Sequence, residues 1–344
     1  MSETQKPKAV LVGCGKIAGT WLDAVSKTPE LELVALVDLH CPAAEYWAGK
    51  FNLPASMIYP AMDAALAATG AELVFDLTVP TAHESVVTAA LKSGRHVLGE
   101  KPMSETLDSA RRMIAAANAA GRTYAVMQNY RFNPEIRALH RFLGSDQIGP
   151  VEEVHVDFFI GGHFGGFRDE MAFPLLLDMS IHTFDMARFL TGADPVNVFC
   201  YSFNPKRSWY RGDASAIVIF ELTGGIVFTY RASWCSEGQI TPWNGQWLLV
   251  GSKGTVRWDG ASTFKAQRVK PDAKPDFIME QQSLDVPVTP MEATGHAGCM
   301  REFLSAVREG RPPETDCRDN IKSLAMVLAA VESAKARAKV GVTW

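Results

Sequence analysis

The chain has 344 residues, 47% hydrophobic and 21% charged, with a formal net charge of −4. That length predicts two domains rather than one core, and the composition is that of a folded globular protein, neither disordered nor membrane-embedded. The acidic balance excludes a general nucleic-acid binder, which needs a basic face. The short apolar run near the N-terminus is broken by glycines too soon for a signal peptide or a membrane span. Six cysteines, at 14, 41, 200, 235, 299 and 317, lie far apart with no Cys-x-x-Cys pair. Such spacing predicts reduced thiols in a cytoplasm, not a disulfide framework or a structural zinc site.

The first 130 residues alternate β-rich runs with helical stretches. Strands are predicted at Lys8–Val12, Leu31–Asp38, Glu72–Thr78, His96–Glu100 and Thr123–Tyr130. Helices are predicted at Ile17–Lys27, Ala43–Phe51, Ala61–Ala68, Ala82–Lys92 and Leu107–Ala120. Near-continuous apolar strands separated by helices imply a parallel sheet covered on both faces. Right-handed returns make this an α/β, Rossmann-type doubly wound domain over 1–130.

The pattern changes after Gly149-Pro150. Val151–Ile160 reads as a long strand, followed by the Gly-rich loop GGHFGGFRDE and a helix over Asp178–Leu190. Val196–Phe203, Ala214–Leu222, Ile226–Trp234 and Gln246–Trp258 read as successive strands with little helix between them. In Ile226–Trp234 one face carries Phe228 and Tyr230 and the other Thr229 and Arg231, which suits a mostly antiparallel sheet with one face on a core. Residues 261–290 read as a surface loop, and helices over His296–Glu309 and Asp319–Lys339 close the chain. The expected second domain, 131–344, is therefore α+β with an open sheet that binds substrate and self-associates, its C-terminal helix free to pack back on the N-terminal domain.

"AVLVGCGKIAGTW" places Gly13-Cys14-Gly15 between the first strand and first helix, with Ala18 in the third position of a Gly-x-Gly-x-x-Gly/Ala fingerprint. Gly13 permits the tight turn, and Gly15 lets backbone approach a pyrophosphate. The helix start, Lys16 and Ile17 included, offers N–H groups to it. Asp38 ends the second strand, where a carboxylate accepts the hydroxyls of an adenosine ribose. Leu39 and His40 provide no arginine for a 2′-phosphate, so NAD is expected over NADP.

Three further stretches resemble the glucose-fructose oxidoreductase / inositol dehydrogenase / MocA (Gfo/Idh/MocA) family of NAD(P)-dependent dehydrogenases. They are "FDLTVPTAHESVVTAALKSGRHVLGEKP" (75–102), "QNYRFNPEIRALHRFL" (128–143) and "LLLDMSIHTFDMARFLTG" (175–192). The resemblance implies a cofactor-lining turn at Thr78, Val79, Pro80 and His83. It implies a Glu-Lys-Pro element near the nicotinamide at Glu100 and Lys101, with Gln128 added to the cofactor set. It also implies a catalytic Asp-x-x-x-His at Asp178 and His182. The chain departs from the family at Ser180, where glycine is frequent, and near Pro174-Leu175, where a Gly-Gly pair is frequent. Both differences touch loop shape and substrate fit more than hydride chemistry.

Alcohol oxidation needs a base for the O–H proton while hydride leaves carbon. A neutral imidazole suits that role, since histidine titrates near working pH, so His182 is the expected base. Asp178 is expected to orient it, with Asp185 in support. An isolated Asp-x-x-x-His is ordinarily a helix N-cap followed by a half-buried histidine; its occurrence with Gly-x-Gly, Asp38 and Glu-Lys-Pro in order turns the expectation to catalysis. Lys101, at the carboxyl end of a parallel strand, faces the ligand crevice and can stabilise alkoxide character; otherwise it is a surface charge. Tyr130, Arg131, His163 and Arg168 are expected at the substrate together with Lys101, Asp178 and His182. Trp209, Tyr210, Trp243 and Trp247 are open between sugar stacking and sheet packing. The histidines show no metal-ligand spacing, and no metal is expected.

These features predict an NAD-dependent dehydrogenase of a sugar, cyclitol or related polyol. A redox-neutral enzyme that keeps NAD bound and a non-catalytic sugar or NAD sensor stand as alternatives. A homodimer or homotetramer through the C-terminal sheet is expected, as in the family it resembles. No nucleic acid or membrane partner is expected.

Overall fold

The computed structural model describes residues 6–344. The chain forms two compact units. The first runs to Phe132 and takes in Glu292–Ile321; the second is made of Asn133–Met291 and Lys322–Trp344.

The first unit opens with β1 (Lys8–Val12), α1 (Ala18–Ser26), β2 (Glu32–Val37), α2 (Cys41–Lys50), β3 (Ile58–Tyr59) and α3 (Met62–Thr69). It continues with β4 (Leu73–Asp76), α4 (Pro80–Lys92), β5 (His96–Gly99), α5 (Leu107–Ala120) and β6 (Tyr124–Val126). The strands form one parallel sheet in the order β3-β2-β1-β4-β5-β6. Residues such as Ala9, Leu11, Phe75 and Leu98 are fully buried, which is why these strands read as unbroken apolar runs rather than alternating ones. The strand order reverses between β1 and β4, and in such sheets ligands bind over the carboxyl ends at that reversal.

The second unit contributes α6 (Pro134–Gly144), β7 (Val151–Phe159), α7 (Ser180–Thr191), β8 (Pro195–Phe203), β9 (Ser215–Leu222) and β10 (Val227–Ser233). After them come β11 (Gln246–Gly251), β12 (Gly254–Trp258), β13 (Phe264–Val269) and β14 (Gln281–Leu284). The chain then forms α8 (Gly295–Glu309), which belongs to the first unit, α9 (Cys317–Ala336), which begins there, and β15 (Val340–Gly341). The sheet order is β14-β13-β12-β11-β7-β10-β9-β8-β15. Every pair is antiparallel except β7 with β10. On the covered face Phe184 of α7 meets Phe220, Tyr230 and Phe228 edge-on, with ring centroids 4.9, 5.4 and 6.0 Å apart. Edge-to-face contacts of this kind favour packing beyond simple burial. The opposite face leaves Phe199, Tyr201, Phe203, Ile217, Ile219 and Val227 exposed.

Four sequence expectations are corrected. Residues 261–290 are not a bare loop, because β13 and β14 lie there; as outer strands they are mostly polar and exposed and carry no apolar alternation to announce them. Gln246–Trp258 is a hairpin and not one strand: it turns at Ser252-Lys253, polar residues flanked by Gly251 and Gly254. The sixth strand ends at Val126, and Asn129–Phe132 winds into a single 3-10 turn. Finally, α8 and the start of α9 belong to the first unit, not the second. The apolar side of α8 (Ala297, Cys299, Met300 and Phe303) joins the core that contains Trp21 and Phe75. Among the described residues no helix is long and apolar enough to cross a membrane, and no group of histidine, cysteine and acidic residues could hold a metal ion.

Candidate active site

The turn from β1 to α1 is fastened from three sides. Gly13 has a positive φ of 96°, and an added Cβ there would lie 2.7 Å from the Leu77 carbonyl. Glycine is therefore required by both backbone and space. The Cys14 N–H donates to Asp38 Oδ2 at 2.7 Å, and the His40 N–H donates to Oδ1 at 2.8 Å. Trp47 of α2 donates its indole N–H to the carbonyls of Cys14 and Gly15, both at 3.1 Å. Gly15, Lys16 and Ile17 are exposed, an added Cβ at Gly15 meets nothing within 4 Å, and no side chain caps α1. An open glycine beside an uncapped helix start, with a carboxylate at the end of β2, fits a dinucleotide: pyrophosphate at the helix, ribose at Asp38. Burial, and next the charge of Asp38, push the Cys14 thiol up to about 12, so it is a packing residue and not a nucleophile.

At the carboxyl end of β4 the turn through Thr78 and Val79 leads into α4. Val79 stands 64% exposed. His83 was expected among the cofactor ligands, yet its ring is buried and its Nδ1 lies 2.7 Å from Asp76 Oδ2; the buried carboxylate of Asp76 draws it inward.

Lys101 follows β5. Its neighbour Glu100 is buried and accepts the Trp21 indole N–H at 2.6 Å and the Lys101 backbone N–H at 3.1 Å. The imidazole Nε2 of His296 stands 3.9 Å from the same carboxylate. Burial works against ionisation of Glu100, but His296, the Lys101 charge and the Trp21 hydrogen bond outweigh it and hold the carboxyl below its ordinary range. The ionised Glu100 thus anchors the backbone from which Lys101 projects. The Lys101–Pro102 peptide is cis. Gln128, just past β6, is buried with neither amide atom hydrogen-bonded among the described residues. A buried unpaired carboxamide calls for a polar ligand and fits an amide-bearing cofactor.

Tyr130 is partly buried, and burial pushes its phenol up to about 12, keeping it a donor. Arg131 was expected at the substrate but is buried; its guanidinium donates to the Glu314 carbonyl at 2.9 Å and reaches Asp319 at 3.4 Å. It staples the turn after β6 to the chain entering α9.

In the second unit Asp178 lies in a π-helical turn, Leu175–Met179, that leads directly into α7 and His182. Arg168 forks onto its carboxylate, Nε to Oδ2 at 2.7 Å and a terminal nitrogen to Oδ1 at 3.3 Å. The guanidinium lies over the rings of Phe167 and Phe164, 4.8 and 5.4 Å from their centroids. The structure therefore brings Arg168 and Asp178 together, and such a bidentate pair fixes the carboxylate plane. His182 is buried within α7. Asp185 accepts from Ser323 at 2.8 Å. His163 stacks on Trp209 with centroids 3.7 Å apart and pairs with Glu237 at 2.9 Å. Trp247 and Tyr210 are buried, while Trp243 is half exposed.

Comparison with known proteins adds the family. Residues 8–128 match the NAD-binding Rossmann fold of the oxidoreductase family named for glucose-fructose oxidoreductase, inositol dehydrogenase and MocA, and residues 141–342 match its C-terminal alpha/beta domain. The chain belongs to this Gfo/Idh/MocA family. It is an NAD-binding dehydrogenase. An inositol 2-dehydrogenase of Rhizobium meliloti is 26% identical, over 96% of this chain and 98% of its own. A D-apiose dehydrogenase of Paraburkholderia graminis is 27% identical, over 95% of this chain and 88% of its own. A solved oxidoreductase of Agrobacterium radiobacter, crystallised with NAD+, L-tartaric acid and magnesium, shares the fold with a TM-score of 0.86 at 20% identity, covering 98% of this chain and 99% of that one.

Several residues that shape this Gfo/Idh/MocA site escaped the motifs. Trp21 holds Glu100 from one turn inside α1, and Trp47 locks the glycine turn from α2. Gly19 leaves the room that Trp47 takes: an added Cβ there would fall 2.4 Å from the indole ring. For Asp76 the signal was a carboxylate ending an otherwise apolar strand. Nothing in the sequence announced His296.

Proposed function

We propose that this dehydrogenase moves hydride between NAD and a secondary hydroxyl or ketone of a sugar, cyclitol or related polyol. Bound NAD supplies the hydride acceptor. Gly13, Cys14, Gly15, Lys16 and Ile17 hold its pyrophosphate, Asp38 its ribose, the Thr78–Pro80 turn and Glu100 its flank, and Gln128 its carboxamide. His182 takes the hydroxyl proton, which suits a neutral imidazole. The Lys101 ammonium stabilises oxyanion character on the substrate. Asp178, its plane set by Arg168, supports the imidazolium.

The observation that carries this is the fork of Arg168 on Asp178, one turn before His182. It prepares a fixed carboxylate for charge that appears on the histidine. The polyol class draws support from the relatives named for inositol and D-apiose. Tyr130 and His163 are the further substrate contacts proposed; Arg131 drops out because its guanidinium is engaged by the Glu314 carbonyl and Asp319, and Arg168 because it is engaged by Asp178. Self-association through the open face of the second sheet belongs to the proposal, as does a cytoplasmic setting, supported by six cysteines that form no disulfide.

The test is absorbance at the NADH band with NAD or NADP and a panel of aldoses, inositols and uronates. Turnover with NAD on one polyol group, lost in His182→Ala and Lys101→Ala proteins that still bind NAD, is the expected result. Silence across the panel from protein that binds NAD would remove the polyol reading.

A further inference from the structure

We infer that Asp76 and His83 form a buried clamp that sets the turn after β4 for NAD, so that both are positioning residues for the cofactor. Asp76 is the last residue of β4, after Leu73-Val74-Phe75, and is 0% exposed; His83, in the first turn of α4, is 1% exposed. A buried carboxylate is costly even when partnered, and an apolar residue there would often be as stable or better. Strand packing therefore does not account for Asp76, and its benefit lies in the backbone it holds.

That backbone is the turn itself. Asp76 Oδ1 accepts the Thr78 N–H at 3.0 Å and the Thr78 hydroxyl at 2.6 Å. Oδ2 faces His83 Nδ1 at 2.7 Å, and the same Nδ1 lies 3.3 Å from the Thr78 hydroxyl. One carboxylate thus ties the strand end, the turn and the first turn of α4 together. The helix has no side-chain cap of its own, with Val79 at that position and Pro80 following.

The clamped turn abuts the glycine turn. The Leu77 N–H donates to the Val12 carbonyl at 2.7 Å, and Leu77 and the Thr78 nitrogen are what an added Cβ at Gly13 would strike, at 2.7 and 2.8 Å. A shift of Thr78 would therefore be felt at Gly13. The inference rests on the proposed lining of the cofactor by Thr78–Pro80, to which exposed Val79 belongs.

The experiment is NAD titration of the full chain by tryptophan fluorescence, with thermal melts of each variant. Asparagine can place its amide N–H near the position of Nδ1, whereas glutamine reaches that of Nε2. His83→Asn should bind NAD within about twofold of wild type, while His83→Gln, with an unchanged melt, weakens it at least tenfold. Asp76→Asn, which loses the second anionic acceptor, should weaken it as well and serves where His83→Gln melts early. Wild-type affinity in both His83→Gln and Asp76→Asn overturns the clamp. Val79→Asp then tells what failed: weakened binding leaves the turn at the cofactor without the clamp, and unchanged binding removes the turn from the cofactor site.

Discussion

Arg168 was expected to meet the substrate, but its geometry makes it a support for Asp178. The guanidinium is sandwiched by Phe164 and Phe167 and spends two nitrogens on one carboxylate. The two roles separate kinetically, since a substrate ligand acts on KM and a positioning residue on kcat. Arg168→Lys keeps the charge but not the planar fork. We expect it to lower kcat roughly tenfold, ~1.4 kcal/mol of barrier, with KM little changed. In an Asp178→Asn background the same change should cost almost nothing, because residues acting as one unit are not additive. Additive losses, or a loss confined to KM, would return Arg168 to the substrate. The residue scale also shows which part of the site a sequence can carry. The glycines, Asp38, Lys101 and His182 of the proposed site lie in motifs whose spacing stands out along the chain. The partners that hold them, such as Trp21 for Glu100 and Trp47 for the glycine turn, sit on other elements at distances set only by folding, and no local spacing marks them.

At the scale of elements, β5 joins the reactive end at Lys101 to a proton-sensitive start at His96. His96 Nδ1 accepts the Thr123 N–H at 3.0 Å, where the chain enters β6. Burial, and secondly the Arg122 charge, push the His96 pKa down from 6.5 to about 4. The unfolded chain takes up this proton as pH falls through 6.5, and the folded chain only near 4. The stabilisation from a neutral His96 is thus fully present above 6.5 and is lost progressively down to about 4. Urea midpoints from pH 7 to 4 should fall less steeply for His96→Gln than for wild type; parallel slopes would mean that His96 does not control this range. Elements were legible where burial imposes a period. The parallel strands announced themselves because both faces are covered, and β10 because one face is. β13 and β14 did not, since strands near a sheet edge need no apolar face, whereas the 251–254 hairpin carries a legible polar turn, Ser252-Lys253 between two glycines, that a single-strand reading passes over. Membership of α8 in the first unit was illegible for a different reason: an amphipathic helix shows that it covers something, not which core it covers.

At the scale of the whole molecule, the proposed self-association rests on the open face of the second sheet. Phe199, Tyr201 and Phe203 on β8, Ile217 and Ile219 on β9 and Val227 on β10 form neighbouring rows of exposed apolar side chains. Arg337 lies over the Tyr201 ring at 4.7 Å, and Lys339 pairs with Glu221 at 2.5 Å, so charge borders the rows. Further along the same sheet a cavity of about 660 Å³ is lined by polar groups such as His155, Asp157, Arg231, Arg257 and Lys265, and none of the proposed site residues reaches it. Apolar rows with a charged border are what a self-complementary contact uses, since charge at the rim fixes register while the centre excludes water. In a twofold contact each substitution occurs twice and acts on both sides. Ile217→Asp with Ile219→Asp places four carboxylates in such an interface and leaves the covered face of β9, with Val218 and Phe220, untouched. Sedimentation of wild type should show a dimer or larger assembly, and of the double variant a smaller species with an unchanged circular dichroism spectrum. A wild-type chain that sediments as a monomer at micromolar concentration would assign the apolar rows to something other than a second copy.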